Sequence, residues 1–278
     1  MLADSPYWSE RDQKLYWVDI LAPSVSRMAL DGSASETHAM RELVGFVLDR
    51  KSGGSVASTQ KDIIRLDFGT GDKAALATTY AGTSEFRIND AKCDRAGRLW
   101  TGTMSIDAAP GGGNLFRLDQ DLRLKSMATD IVIANGLAWS PDNRLMYFVD
   151  SGKRIIHAYD FDFDRGEIRH GRVFFEGSEQ LGRPSGITVD ADGCLWCAMW
   201  DGWSIVRLDP TGRIDRTVGL PVPRPSSVAF VGPDLSTLVV TSARIRLSEA
   251  SLADAPLSGS LFAVRPSVGG LAEVPFAG

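Results

Sequence analysis

The chain has 278 residues, 30 Lys and Arg against 35 Asp and Glu, a formal net charge of −5, and 44% hydrophobic with 23% charged residues. That is the balance of a folded chain long enough for one large domain or two modest ones. With no basic cluster it argues against a nucleic-acid or anionic-membrane partner, and no apolar run nears the roughly 20 residues that cross a bilayer. The first residues lack a basic region followed by a long apolar one, and three cysteines suit a reducing compartment, so a cytoplasmic protein is expected.

In chain order, short apolar runs punctuated by turn residues recur throughout. The clearest unit spans Ile133 to Ser151, where Ser140-Pro141-Asp142-Asn143 supplies a tight turn between two apolar runs too short for helices. Its second strand, marked at Tyr147, has counterparts marked at Trp17, Ser55, Trp100, Trp196 and Val239. The successive spacings are 38, 45, 47, 49 and 43 residues. A second strand pair follows most copies, as in Ile63-Ile-Arg-Leu-Asp67, Leu115-Phe-Arg-Leu-Asp119 and Ile205-Val-Arg-Leu-Asp209. Six units of about four short strands predict an all-β protein, a six-bladed β-propeller filling residues 1–278 as a single domain.

Several other features are structural in this reading. Ala108-Ala-Pro-Gly-Gly-Gly-Asn114 is a surface loop, a connector or a lid over the channel mouth, and lacks the Gly-Lys-Ser/Thr of a phosphate loop. Residues 248–259 form a second loop. Cys194 and Cys197 lie on a predicted strand, where a separation of three puts the thiols on opposite faces. They read as buried thiols. His38, His157 and His170 share no motif, and the tryptophans suit packing between blades, with Trp200 and Trp203 placed to wall a pocket.

Equivalent positions of successive blades ring one axis, so residues far apart in sequence meet around a channel. Aligning the units on the start of each inner strand brings together Asp4, Val44, Asn89, Asn135, Ser185 and Ser226. Five of the six are polar. Such a ring suits a hard cation or a polar small molecule, and equally a water-lined channel.

The residues also carry a family resemblance. Pro6-Tyr-Trp8, Leu15-Tyr-Trp-Val-Asp-Ile20, Arg87-Ile-Asn-Asp90, Gly97-Arg-Leu-Trp-Thr-Gly-Thr-Met104, Asn135-Gly-Leu-Ala-Trp-Ser-Pro-Asp142, Pro184-Ser-Gly186 and Pro275-Phe-Ala-Gly278 resemble the senescence-marker-protein, gluconolactonase and regucalcin family over nearly the whole chain. The resemblance implies a six-bladed propeller that holds one divalent cation, calcium or zinc, at the channel mouth and hydrolyses sugar lactones. It further implies cation ligands at Asp4, Asn135 and Ser185, with Asp4 standing for a family glutamate and Ser185 for the family's aspartate base. Arg87, Asn89 and Asp107 fall at its substrate-contacting positions.

Two of the three ligand positions thus depart from the family, and an unactivated serine takes no proton from water near neutral pH. Asp150 and Asp201 are the candidates to replace the base, with turn capping as their other reading. Arg87 suits a carbonyl or carboxylate clamp, or else pairs with Glu85 or Asp90. Three functions follow: a metal-assisted lactonase on a sugar lactone, a diverged metal-independent enzyme on a small polar substrate, or a metabolite binder without catalysis. A monomer or weak homo-oligomer is expected. Only Met1-Leu2-Ala3 precede Asp4, so either the start is trimmed or the last blade closes with fewer strands.

Overall fold

The computed structural model describes residues 1–80 and 83–278. Among these, twenty-three strands form six antiparallel sheets, each meandering outward from its first strand. Blade one is β1 (Ala3–Ser9), β2 (Lys14–Asp19), β3 (Ser24–Met28) and β4 (Glu36–Ala39). Blade two is β5 (Val47–Asp49), β6 (Ser55–Ser58), β7 (Asp62–Leu66) and β8 (Lys73–Thr78), and blade three is β9 (Phe86–Cys93), β10 (Leu99–Ser105), β11 (Gly113–Leu118) and β12 (Leu124–Ile131). Blade four is β13 (Ala134–Trp139), β14 (Leu145–Asp150), β15 (Ile155–Asp162) and β16 (Glu167–Glu176). Blade five is β17 (Arg183–Val189), β18 (Leu195–Trp200), β19 (Ser204–Leu208) and β20 (Ile214–Gly219), and blade six is β21 (Pro225–Val231), β22 (Thr237–Ser242) and β23 (Phe262–Val264). This is the all-β six-bladed propeller that the repeat predicts.

Burial falls from the axis outward, as radial packing requires. β13 and β21 are buried along their whole length, whereas β4, β8 and β20 are mostly exposed. Trp100 and Trp196, fully buried at equivalent places, each donate Nε1 to an aspartate, Asp94 and Asp190, at 2.9 Å. The repeated Asp-x-x-Gly-x-Leu-Trp is therefore a packing unit: the carboxylate closes the turn and satisfies the one polar atom of the indole.

Closure uses fewer strands than the repeat suggests. Blade six has three, and the ring is joined by a bridge between Leu2 and Ala243, with Arg244 N donating to Met1 O at 3.2 Å and Ser226 Oγ to Ala3 O at 2.5 Å. The loop before β23 holds the one described helix, α1 (Glu249–Asp254), capped by the Ser248 side chain. No described helix is long and apolar enough to cross a membrane. After β23 the chain runs beneath the blades. Gly270 bridges Asp190, Glu273 pairs with Lys92 at 2.6 Å, and Phe276, fully buried, exchanges backbone hydrogen bonds with Asp49 and Lys51. These partners sit at the far ends of inner strands, so the tail covers that end of the channel.

Candidate functional site at the channel mouth

Sequence alignment places Asp4, Asn89, Asn135, Ser185 and Ser226 at strand starts, and the structure refines this. Each lies one or more residues inside its strand, at a break in register: between Asp4 and Tyr7, opposite Gly102 and Thr103, and within the intervals Ala134–Leu137, Pro184–Ile187 and Pro225–Ser227. A bulge inserts an unpaired residue and re-aims its side chain. Asp4, Asn89, Asn135 and Ser185 thereby reach one cavity from strands that otherwise feed the core, whereas Ser226 Oγ is engaged by Ala3 O at 2.5 Å and Thr241 Oγ1 at 2.8 Å. Blade two lacks this feature: Val44 precedes β5, whose pairing with β6 is regular.

Small residues follow the bulged ones for a steric reason. A Cβ on Gly136 would run into the backbone of Ile187, and one on Gly186 into Ser227. Adjacent inner strands touch here, which brings Asn135 and Ser185 of neighbouring blades together.

A cavity of about 430 Å³ opens at this end of the channel, lined by Asp4, Arg87, Asn89, Asp107, Asn135 and Ser185, while Val44 and Ser226 of the expected ring, and Asp150, do not line it. Asn135 Nδ2 donates to Ser185 Oγ at 3.0 Å and to Ser151 Oγ at 3.2 Å, while Ser151 Oγ donates to Pro184 O at 2.6 Å. Both amide hydrogens of Asn135 are consumed. Its Oδ1 is buried without a hydrogen-bond partner. An orphaned buried carbonyl costs about 1–3 kcal/mol unless something in the cavity accepts its lone pairs.

Electrostatics point the same way. Burial, with the neighbouring Asp90 charge added, pushes the Asp4 carboxyl up to about 7 against the opposing effects of the Ser5 amide and Arg87. Asp90 is pushed up to about 6 by burial, and its Oδ1 accepts from Ser5 Oγ at 2.7 Å and from Ala91 N at 2.8 Å. The Arg87 guanidinium is pushed down to about 10 by burial. It makes no ion pair with Glu85 or Asp90 among the described residues; Nη1 donates to Asn89 Oδ1 at 2.6 Å and to Ile88 O at 3.2 Å. Asn89 in turn donates to Ala134 O at 2.6 Å, so both ends of its amide are engaged and it holds Arg87 in place.

Asp150 requires a correction. It is buried and does not line the cavity; its carboxylate accepts from the backbone N–H groups of Val132, Ile133, Gly152 and Lys153 at 3.1–3.3 Å. It closes the turn after β14 and is not positioned as a base. Asp201 does line the cavity, with Arg224 Nε donating to it at 2.5 Å. Trp200 walls the cavity and Trp203 does not, pointing instead to solvent. In the glycine-rich loop, Tyr80 donates to Gly112 O at 2.6 Å and stacks on Phe86, fixing the loop to the blade edge beside the mouth. Cys194 and Cys197 are free and buried, burial pushing the Cys197 thiol up to about 12, which makes it inert. The three histidines lie on β4, β15 and β16, away from the mouth.

The ligand set is all oxygen: one carboxylate, one unpartnered amide oxygen and one hydroxyl. No group of three or more His, Cys, Asp or Glu suited to a metal occurs among the described residues. The arrangement fits a hard cation of the calcium type that keeps several waters, and offers none of the nitrogen or sulfur donors that favour zinc. Arg183, Arg224 and Arg246 also line the cavity and escaped the sequence reading. Arg183 stands two residues before Ser185 as Arg87 stands two before Asn89, and that shared offset is visible in the sequence.

A propeller whose bulged inner strands aim oxygens and guanidinium groups into a ligand-sized mouth defines a class of small-molecule-site propellers. The chain belongs to the SMP-30/gluconolactonase/LRE-like family, which matches residues 2–244. It is 40% identical to a 6-deoxy-6-sulfogluconolactonase of Pseudomonas putida over 281 residues, covering 100% of this chain and 96% of that one. It is 34% identical to regucalcin of Danio rerio, covering 95% and 90%. Among solved structures, a luciferin-regenerating enzyme superposes with a TM-score of 0.93 at 33% identity, covering 99% of this chain and 95% of that one. Regucalcin of Agrobacterium tumefaciens, described as a calcium-binding protein, superposes at 0.94 with 25% identity, covering 99% and 93%.

Proposed function

We propose that the chain is a lactonase-type hydrolase that opens a sugar lactone at the channel mouth with a weakly held divalent cation. The observation that carries this reading is the buried, unpartnered Oδ1 of Asn135, a residue that lines the same cavity as Asp4 and Ser185. The curated relative from Pseudomonas putida, named for a sulfogluconolactone, supports the reaction class.

Asp4, Asn135 and Ser185 would hold the cation, which when bound polarises the lactone carbonyl and makes a bound water more acidic. Arg87, locked by Asn89, donates from its buried fork to the carbonyl oxygen or to the carboxylate released by ring opening. Ser185, whose oxygen already accepts from Asn135, retains its own hydrogen to donate to a ring hydroxyl. It has no base beside it. Without a cation, burial and the Asp90 charge push the Asp4 carboxyl up to about 7, and a bound dication would hold it ionised.

The test is turnover of a panel of aldonolactones with calcium, magnesium, manganese or zinc added, and in chelator. The reading predicts cation-dependent hydrolysis with calcium or manganese above zinc. Turnover undiminished in chelator favours a metal-independent enzyme, and a lactone that raises the melting temperature without being consumed favours a binder.

A further inference from the structure

The mouth carries more positive charge than opening a neutral lactone requires. Arg87, Arg183, Arg224 and Arg246 line it against Asp4, Asp107 and Asp201, in a chain whose net charge is −5. Three of these arginines occupy one ring position. Arg87, Arg183 and Arg224 each stand two residues before the bulged residue of their blade, Asn89, Ser185 and Ser226. Leu2 and Ile133 hold that position in blades one and four. The positive side of the rim is therefore built from blades three, five and six.

These arginines are not equally committed. Arg87 is held by Asn89, and Arg224 is spent on Asp201, on Ile245 O and on the face of Trp200 at 5.4 Å. The Arg183 guanidinium, at the start of β17, makes no hydrogen bond or ion pair among the described residues, although the residue is half-buried in the cavity wall beside Trp200, its pairing partner on β18. Arg246 is exposed on the loop after β22, in a left-handed backbone conformation with φ 56°. A half-buried guanidinium without a partner is an anion receptor in waiting, because its five donors lose water without gaining acceptors.

We propose that Arg183, with Arg246 of the same cavity rim, forms a subsite for an anionic substituent of the ligand, so that the sugar lactone or acid taken at this mouth carries a sulfonate, phosphate or carboxylate. The inference rests on the reading of the mouth as a site for a sugar-sized ligand, but not on hydrolysis. The fixed Arg224–Trp200 pair shapes the wall against which that group sits. Charge-assisted hydrogen bonds from a partly desolvated guanidinium discriminate strongly between a charged group and a hydroxyl.

The test is calorimetric titration of the full chain with glucitol and its 6-carboxylate, 6-phosphate and 6-sulfonate counterparts, none of which contains a lactone to open. At least one anionic ligand is expected to bind roughly tenfold tighter than glucitol, the ranking among the three identifying the anion. Arg183→Gln should erase that preference while leaving glucitol binding unchanged, and Arg183→Lys should recover part of it. Equal affinity for charged and neutral ligands, equal loss of both in Arg183→Gln, or no binding by any anionic ligand at millimolar concentration overturns the proposal. Anion preference in a protein that opens no lactone sustains the subsite and removes the lactonase reading instead.

Discussion

The two ends of the channel are built from the same inner strands and differ in what covers their polar groups. At the covered end the chain tail satisfies what it meets: Glu273 pairs with Lys92, Arg50 donates to Gly278 O at 2.9 Å and 3.1 Å, and Phe276 fills the space between blades. At the open end the strands bulge, an amide oxygen is left without a partner, and a carboxyl is held far above its usual range. The covered end is largely paired by the tail, although Trp139 Nε1 beside it is also left without a partner, whereas the open end keeps its unmet amide oxygen in a cavity large enough for a ligand.

The comparison breaks most easily at the covered end. Phe276→Ala should cost about 3–5 kcal/mol of stability in a denaturation series, since a fully buried aromatic leaves a cavity. Ligand preference at the mouth should not change; if it does, the ends are not independent. At the open end, Arg87→Met should lower kcat/KM for the preferred lactone about 10- to 100-fold with little change in melting temperature. A fall in stability without a fall in activity would make Arg87 a structural residue.

Ser185→Asp adds a second carboxylate beside Asn135. Calcium affinity measured by calorimetry should rise on the order of tenfold, with turnover rising too. No change in affinity would mean that position 185 does not face the cation.

The smallest effect concerns pH. The Asp4 carboxyl titrates near 3.8 unfolded and is pushed up to about 7 folded, so the folded state holds the proton more tightly. Its contribution to stability is complete below about pH 4 and is lost as pH rises through about 7, Asp90 acting likewise up to about 6. Without added cation, melting temperature should decline from pH 5 to 7.5, and Asp4→Asn should flatten part of that decline. A rise over the same interval would contradict the assigned environment.

The blade period and strand pairs were legible because turn chemistry and short apolar runs are local. So was the polar ring, since Asn135-Gly136 and Ser185-Gly186 pair a bulged polar residue with the glycine that close strand contact demands. The bulge itself was not legible, because register is a relation between two strands. Asp150 misled for a related reason: the four backbone N–H groups that capture its carboxylate come from two turns. Three strands in blade six and a tail beneath the channel depend on contacts across the whole ring, such as Leu2 with Ala243 and Phe276 with Asp49.

The most direct measurement of the central claim is a crystal structure grown in saturating calcium. The account predicts one ordered cation at the channel mouth, with Asn135 Oδ1 and the Asp4 carboxylate at about 2.3–2.6 Å and water completing the shell. Asn135 Oδ1 bonded only to water or to a neighbouring side chain, with no cation at the mouth, would contradict it.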